Sequence, residues 1–298
     1  MSMNKKIWPV AAAIVLAVMA AVMFWGINRP KRYAVLAGYN GDGTIHPYVI
    51  TYLKGLNEVA DGVVYIADST LKPEEEEKLK GLTIHYENVR HEEYDFGSYK
   101  RGFNWLKDNG YLKEADEVIF ANDSCYAPMT SFKPMFKEMA KRKDLDFWGN
   151  TQSAKFNPHL QSYFLVFRKK VLHSPSFMAF LNRIHHWEYP AQYIAEYELN
   201  LTPHLENHGY RWDSYQPYTS PATPDTPDLN SFPLTLVKER GNQFIKRRIF
   251  TSSLMNYENE GDLLRYVYEL NPARYFEIAQ EIPEWFIPED LKEKKNAH

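Results

Sequence analysis

The chain has 298 residues, enough for one large domain or two small ones, and its 44% hydrophobic and 15% aromatic content is that of a folded protein. A net charge of −3 leaves no global basic field, so nucleic acid is not an expected partner. Cys125 is the only cysteine, which excludes an intrachain disulfide and a zinc site built from several thiols.

Residues 7–27 carry no charge and consist mainly of Ala, Val, Ile, Met and Leu. At ~1.5 Å per residue, a helix of this length spans about 30 Å, the thickness of a bilayer core. A cleaved signal peptide has a shorter apolar region of about 7–15 residues. The stretch is therefore expected to be a transmembrane anchor following a short tail at 1–6. Trp8 and Trp25 sit near its two ends, as interfacial aromatics do. Basic residues flank both sides, so the positive-inside rule barely discriminates the topology.

Strand and helix signals then alternate. Residues 33–37 read as a strand, 38–43 as a glycine-containing loop, and 46–60 as a helix. Residues 62–67 form a second strand ending at Asp68, and 73–82 an acidic, exposed helix. A third strand at 82–89, a helix at 96–109 and a fourth strand at 116–121 follow. This order points to an α/β fold with a mainly parallel sheet and right-handed crossovers. Strands at 147–150 and 161–167 continue it. A helix at 175–185 has Ser174 as its N-cap and Pro175 at the first helical position. A further helix is expected at 191–208, a flexible Pro/Thr/Ser-rich loop at 218–227, and a charged, frayed tail at 289–298.

The most informative stretch is 117–126. Its apolar run stops at Asn122, Asp123 and Ser124. A carboxylate at the carboxyl end of a buried strand lies where open α/β sheets bind ligands. Asp68 ends the second strand in the same way. Asp95 reads as the cap of the 96–109 helix, whose first amides, with Gly97, favour phosphate, and Lys100 and Arg101 add positive charge one turn later. Each has a plainer reading: turn or helix capping for the acids, solvated basics on an amphipathic helix for the others. The loop Gly38-x-x-Gly41-x-Gly43 has neither the dinucleotide nor the P-loop spacing.

Several segments together resemble the rhamnan synthesis protein F family of glycosyltransferases. They are Tyr94-Asp-Phe-Gly-Ser-Tyr-Lys-Arg-Gly102, Asn122-Asp-Ser124, Phe147-Trp-Gly149, His159-Leu-Gln-Ser-Tyr-Phe-Leu-Val-Phe-Arg-Lys169 and Phe244-Ile-Lys246. The chain is more distantly similar to inverting family 2 glycosyltransferases of the GT-A fold. The resemblance implies a GT-A-like, Rossmann-type glycosyltransferase domain over 32–288. It implies a nucleotide-sugar donor such as dTDP-rhamnose and an acceptor that is a growing surface polysaccharide or lipid-linked glycan.

Such a reaction must stabilise a leaving diphosphate, by a divalent cation or by basic side chains, and must take a proton from the acceptor hydroxyl. The resemblance makes Asp123 the candidate for holding the donor or a Mg²⁺ or Mn²⁺ ion. Asn122-Asp-Ser has one carboxylate where the family 2 pattern has two, so further metal ligands would come from diphosphate and water. Asp68, Asp95, Gly97, Lys100, Arg101, Asn122 and Ser124 become donor-binding candidates. His159, Gln161 and Ser162 become acceptor or sugar candidates. Glu196 matches the catalytic base, although Ala195 replaces the acid that precedes it in family 2. The alternative functions are a membrane-tethered, non-catalytic carbohydrate-binding or assembly protein, and a nucleotidyltransferase. The latter class usually opens with a basic Gly-rich loop, and residues 38–43 contain no Lys or Arg. The catalytic domain is expected on the cytoplasmic side of a bacterial inner membrane, where nucleotide sugars are made.

Overall fold

Three apolar runs, each too short to be a helix of ordinary length, become the centre of the sheet. β1 (Arg32–Gly38), β2 (Gly62–Ala67) and β4 (Glu117–Asn122) are buried at every position. Continuous burial is what strands covered on both faces require. The computed structural model describes residues 29–216, 232–250 and 259–296. The expected anchor at 7–27 and the Pro/Thr/Ser-rich stretch at 218–227 lie outside these residues. Among the described residues, no helix is long and apolar enough to cross a membrane.

β1 pairs in parallel with β2 on one side and β4 on the other, and β2 pairs with the edge strand β3 (His85–Asn88). Beyond β4 come β8 (Phe164–Arg168) and β6 (Phe147–Ser153). β7 (His159–Leu160) and β9 (Trp212–Gln216) both pair with β6. A two-stranded ribbon joins β5 (Cys125–Tyr126) to β10 (Ile245–Lys246).

The sheet is mixed α/β and mostly parallel, with one correction. β8 runs antiparallel to both β4 and β6. The link from β6 to β8 covers residues 154–163 and includes β7, whereas a parallel crossover needs about a dozen residues or more, usually with a helix. The chain therefore folds back instead of crossing over.

Alternation along the strands sends side chains to two cores. Ala34 and Leu36 of β1 and Ile119 and Ala121 of β4 meet helix α1 (Pro47–Asn57) through Tyr48, Tyr52 and Leu53. Helices α5 (Glu260–Leu270) and α6 (Pro272–Glu281) complete that core through Leu263, Leu264, Tyr275 and Ile278. Tyr33, Val35, Val118 and Phe120 face the other way, onto Phe96, Tyr99 and Phe103 of helix α2 (Tyr94–Asp108). Helices α3 (Pro175–Asn182) and α4 (Leu199–Asn207) lie on this second side. α2 approaches β1 so closely that a Cβ on Gly102 would lie 2.4 Å from Val35 Cγ1, which requires glycine there.

Local signals decide the element ends. Ser174 Oγ accepts the Phe177 amide at 3.1 Å, the expected cap of α3. The acidic segment at 73–82 is shorter and less exposed than its pattern: one turn, Pro73–Glu76, then a 3-10 turn, Glu77–Leu79. Glu75 is buried because its carboxylate accepts the Ile45 amide and the Lys78 ammonium, each at 2.6 Å. The C-terminal charged stretch forms a helix, Glu289–Asn296, instead of fraying, because Leu291 is buried in the first core.

Candidate functional site

β1, β2, β4, β6 and β9 share one direction, so their carboxyl ends share one edge of the sheet. At the end of β4, Asp123 donates its amide to the Ala37 carbonyl at 3.0 Å. One carboxylate oxygen of Asp123 accepts the Tyr39 amide at 3.0 Å, tying it to the loop after β1. Burial pushes its carboxyl up to about 6, while that amide and the Arg247 charge pull it down.

Asn122 bridges two neighbours. Its side-chain amide donates to Asp95 Oδ2 at 2.5 Å, and its side-chain oxygen accepts the Ser124 hydroxyl at 2.6 Å and amide at 3.2 Å. Asp95 lies in the first turn of α2 and does not cap it; Glu93 occupies the N-cap position and makes no side-chain cap bond. Asp95 has been recruited by Asn122 instead. Dense protein around its carboxyl, and then the Asp123 charge, push it up to about 7, against the pull of Lys246. Two carboxyls with raised affinity for protons thus stand together at the strand ends, an arrangement common at functional sites.

The positive charge facing them comes from an unexpected place. β10 brings Lys246 opposite Cys125, and the Arg247 amide donates to the Ser124 carbonyl at 2.9 Å. Lys246 Nζ stands 3.9 Å from the centroid of the Tyr163 ring. The Arg247 guanidinium packs over Tyr48 at 4.5 Å, with Nη1 3.4 Å from the Asp123 carbonyl oxygen. Phe244-Ile-Lys246 was visible only as a piece of family resemblance. Its arrival beside Asp123 depends on a strand pairing across more than a hundred residues, which leaves no local signal.

Lys100 and Arg101 are not part of this cluster. Lys100 Nζ donates to the Ile184 carbonyl at 2.6 Å, and Arg101 pairs with Glu93 at 3.4 Å. Both line a separate cleft of about 410 Å³ with Glu87, Asn104 and Trp105. Gly97 is buried, and its amide already donates to the Glu93 carbonyl at 3.0 Å. It is glycine because a Cβ would meet Glu93 Cβ at 2.2 Å. Asp68 is committed to holding the loop after β3. Its Oδ1 accepts the His91 and Glu92 amides at 2.7 and 2.9 Å, and its Oδ2 pairs with Arg90 at 2.7 Å. Arg90 in turn packs over the exposed Tyr39 ring at 5.2 Å.

Next to the end of β4, where the Asn122 amide donates to the Tyr163 carbonyl at 3.2 Å, Ser162 donates to Glu198 Oε2 from its hydroxyl and from its amide, the latter at 3.4 Å. His159 is buried, with Nδ1 2.8 Å from the Asn157 carbonyl and Nε2 3.9 Å from Glu198 Oε1. A carbonyl accepts only, so Nδ1 carries a proton and Nε2 faces the carboxylate. Gln161 Oε1 accepts the Thr151 hydroxyl at 2.6 Å and belongs to the β6 wall.

Glu196, the expected base, is exposed, whereas Glu198 is half-buried and bound to Ser162. The helix expected at 191–208 is broken by a π turn, Ile194–Glu198, between Pro190–Tyr193 and α4. Two buried tyrosines set its rotation. The Tyr193 hydroxyl donates to the Glu92 carbonyl at 2.7 Å, and the Tyr197 hydroxyl accepts Trp187 Nε1 at 2.9 Å. With Tyr193 and Tyr197 inward, Glu196 faces solvent and Glu198 meets Ser162.

The fold is a mixed α/β sheet flanked by helices, with acidic and basic side chains gathered at the carboxyl ends of its parallel strands. The chain belongs to the rhamnan synthesis protein F family, whose profile matches residues 63–272. It is 26% identical over 155 residues to the uncharacterized protein y4gN of Sinorhizobium fredii, a match covering 50% of this chain and 39% of that one. Among solved structures it is similar to a cytidylyltransferase from Leptospira borgpetersenii, at 13% identity and a TM-score of 0.40, over 83% of this chain and 97% of that one. Core-mannan synthase A from Aspergillus fumigatus, in its Mn/GDP form, aligns at 10% identity and a TM-score of 0.34, over 50% of this chain and 63% of that one.

Proposed function

We propose that the chain is a glycosyltransferase that moves a sugar, rhamnose by the family's name, from a nucleotide-sugar donor onto a surface polysaccharide or lipid-linked glycan. The observation that carries this reading is the meeting of Asp95 and Asp123 with Lys246 and Arg247 at one sheet edge, with Glu198 close enough to act on Asp95 and held by Ser162. In this reading the donor diphosphate lies against Lys246 and Arg247, and Tyr39, exposed beside Arg90, offers a ring for the base. The acceptor oxygen attacks the anomeric carbon as the bond to the diphosphate breaks. The electron pair leaves with the diphosphate, where the cationic side chains stabilise it. The acceptor proton goes to Glu198, held in place by Ser162. One direct displacement inverts the anomeric centre.

Asp123 is the candidate ligand for a Mg²⁺ or Mn²⁺ ion. Among the described residues no three His, Cys, Asp or Glu side chains are grouped to hold a metal. The described side chains do not form a closed metal site by themselves, so diphosphate and water would supply the remaining ligands. Residues 7–27 would anchor the enzyme, with the catalytic part facing the bacterial cytoplasm and its nucleotide sugars.

Binding is tested by the melting temperature of the full chain in detergent against a panel of nucleotide sugars, since a ligand that binds only the folded state stabilises it by mass action. At least one nucleotide sugar should raise the melting temperature more than its nucleoside monophosphate does. A panel without effect would contradict the reading.

A further inference from the structure

The loop before α2 is held in a conformation that ordinary residues avoid. Glu92 and Tyr94 both have positive φ, 58° and 53°, though neither is glycine. Left-handed backbone at non-glycine residues persists where surroundings over-determine it, and such sites cluster at ligand-binding positions. The surroundings here are specific. Asp68 fixes the His91 and Glu92 amides. The Glu92 carbonyl accepts the Tyr193 hydroxyl at 2.7 Å and faces His186 Nδ1 at 2.8 Å. The Glu93 amide donates to His91 Nδ1 at 3.1 Å, which leaves the other ring nitrogen to donate to Ser98 Oγ at 3.0 Å.

This clamp holds an aromatic ring outward. Tyr94 is 45% exposed, and its ring packs on Tyr193 at 4.5 Å between centroids. Ile194, next to Tyr193, is 52% exposed. The shelf is joined to the cluster along the chain: Tyr94 precedes Asp95, and Ile194 lies one turn before Glu198. Two left-handed residues in one short loop cost free energy, and what they achieve is to hold a half-exposed ring against Tyr193 in the residue before Asp95.

We propose that Tyr94, backed by Tyr193, is the platform on which the acceptor sugar stacks, so that the acceptor is a pyranose with one apolar C–H face. The ring supports that face while a hydroxyl at the sugar's edge reaches Glu198. The proposal rests on the glycosyl-transfer reading above and names the acceptor side of that site.

The test uses the full chain in detergent and two probes, methyl α-L-rhamnopyranoside and methyl α-D-mannopyranoside, followed by saturation-transfer NMR titration. At least one should bind at millimolar concentration, with saturation strongest at the protons of one ring face. Tyr94→Ala should weaken that binding ~3–10-fold, in the range of an aromatic stacking contact, and Tyr94→Phe should retain it. Both variants should keep the melting shift given by the nucleotide sugar. Unchanged pyranoside binding in Tyr94→Ala overturns the platform, as does absence of binding of either probe to the wild type. If the nucleotide sugar still shifts melting in those cases, the transfer reading stands without the platform; if no nucleotide sugar does so in the wild type, that reading itself fails.

Discussion

Ser162 holds Glu198 by two donors, its hydroxyl and its backbone amide, on the same carboxylate oxygen. The second oxygen faces His159 Nε2 at 3.9 Å. On the proposed reading this fixed carboxylate takes the proton of the acceptor hydroxyl. Glu198→Gln should lower kcat by ~10²–10⁴-fold, the usual contribution of a general base, and leave donor binding intact. Glu196→Gln should stay near wild type because Glu196 is exposed. Steady-state kinetics with donor in excess decide between them, and a larger loss in Glu196→Gln would refute the assignment.

Asp95 couples stability to pH. Its carboxyl is raised from 3.8 to about 7, with burial the largest cause. A raised carboxyl contributes stability that is fully present below the unfolded value and is lost as pH rises through the folded one. Asp95→Asn cannot ionise, and its side-chain oxygen can still accept from Asn122. The variant should therefore gain in melting temperature relative to wild type as pH goes from 5 to 8. Thermal melts at the two pH values check the sign; an equal difference at both would mean that Asp95 ionises normally.

Lys246 is the most informative cation to remove, because it approaches Tyr163 and Asp95 without belonging to the apolar core. Lys246→Gln should cost on the order of 10²-fold in kcat/KM, comparable to loss of an electrostatic group facing developing charge. Nucleoside diphosphate inhibition should weaken with it. Lys100→Gln, whose ammonium is bound to the Ile184 carbonyl, should alter neither quantity by a similar factor.

Much of the frame was legible in the sequence. The bounds of β2 coincide with its apolar run, and the cap and proline of α3 stand where their chemistry predicts. Side-chain register was harder to read. The expectation for Glu196 assumed an unbroken α-helix, with a fixed turn per residue. A π turn and two inward tyrosines set a different face, and those tyrosines are held by residues 187 and 92. Lys100 and Arg101 read as a phosphate site because they follow a helix start, yet their charges are spent on the Ile184 carbonyl and the Glu93 carboxylate. Lys246 could not be found by any local pattern, because its place depends on β10 pairing with β5. β8 reversed direction because of a connection length, which apolar runs do not encode.

Gly102 tests the packing that positions α2 and hence Asp95. Its absent Cβ would come within 2.4 Å of Val35. Overpacking of this kind costs about 1–3 kcal/mol, partly offset by the ~1 kcal/mol that Ala gains over Gly inside a helix. Gly102→Ala should lower the unfolding free energy in a urea titration despite that gain in helix propensity. Increased stability would show that α2 can move off β1 without penalty.

Sugar transfer at the edge formed by Asp123, Lys246 and Glu198 is read from its products. The full chain is incubated with nucleotide sugars and glycan acceptors, and in parallel with nucleoside triphosphates and sugar phosphates. Transfer should give nucleoside diphosphate release together with a glycan heavier by one sugar residue, both lost in Glu198→Gln. Pyrophosphate release from the triphosphate mixture, with no glycan product, would contradict it and make the chain a nucleotidyltransferase.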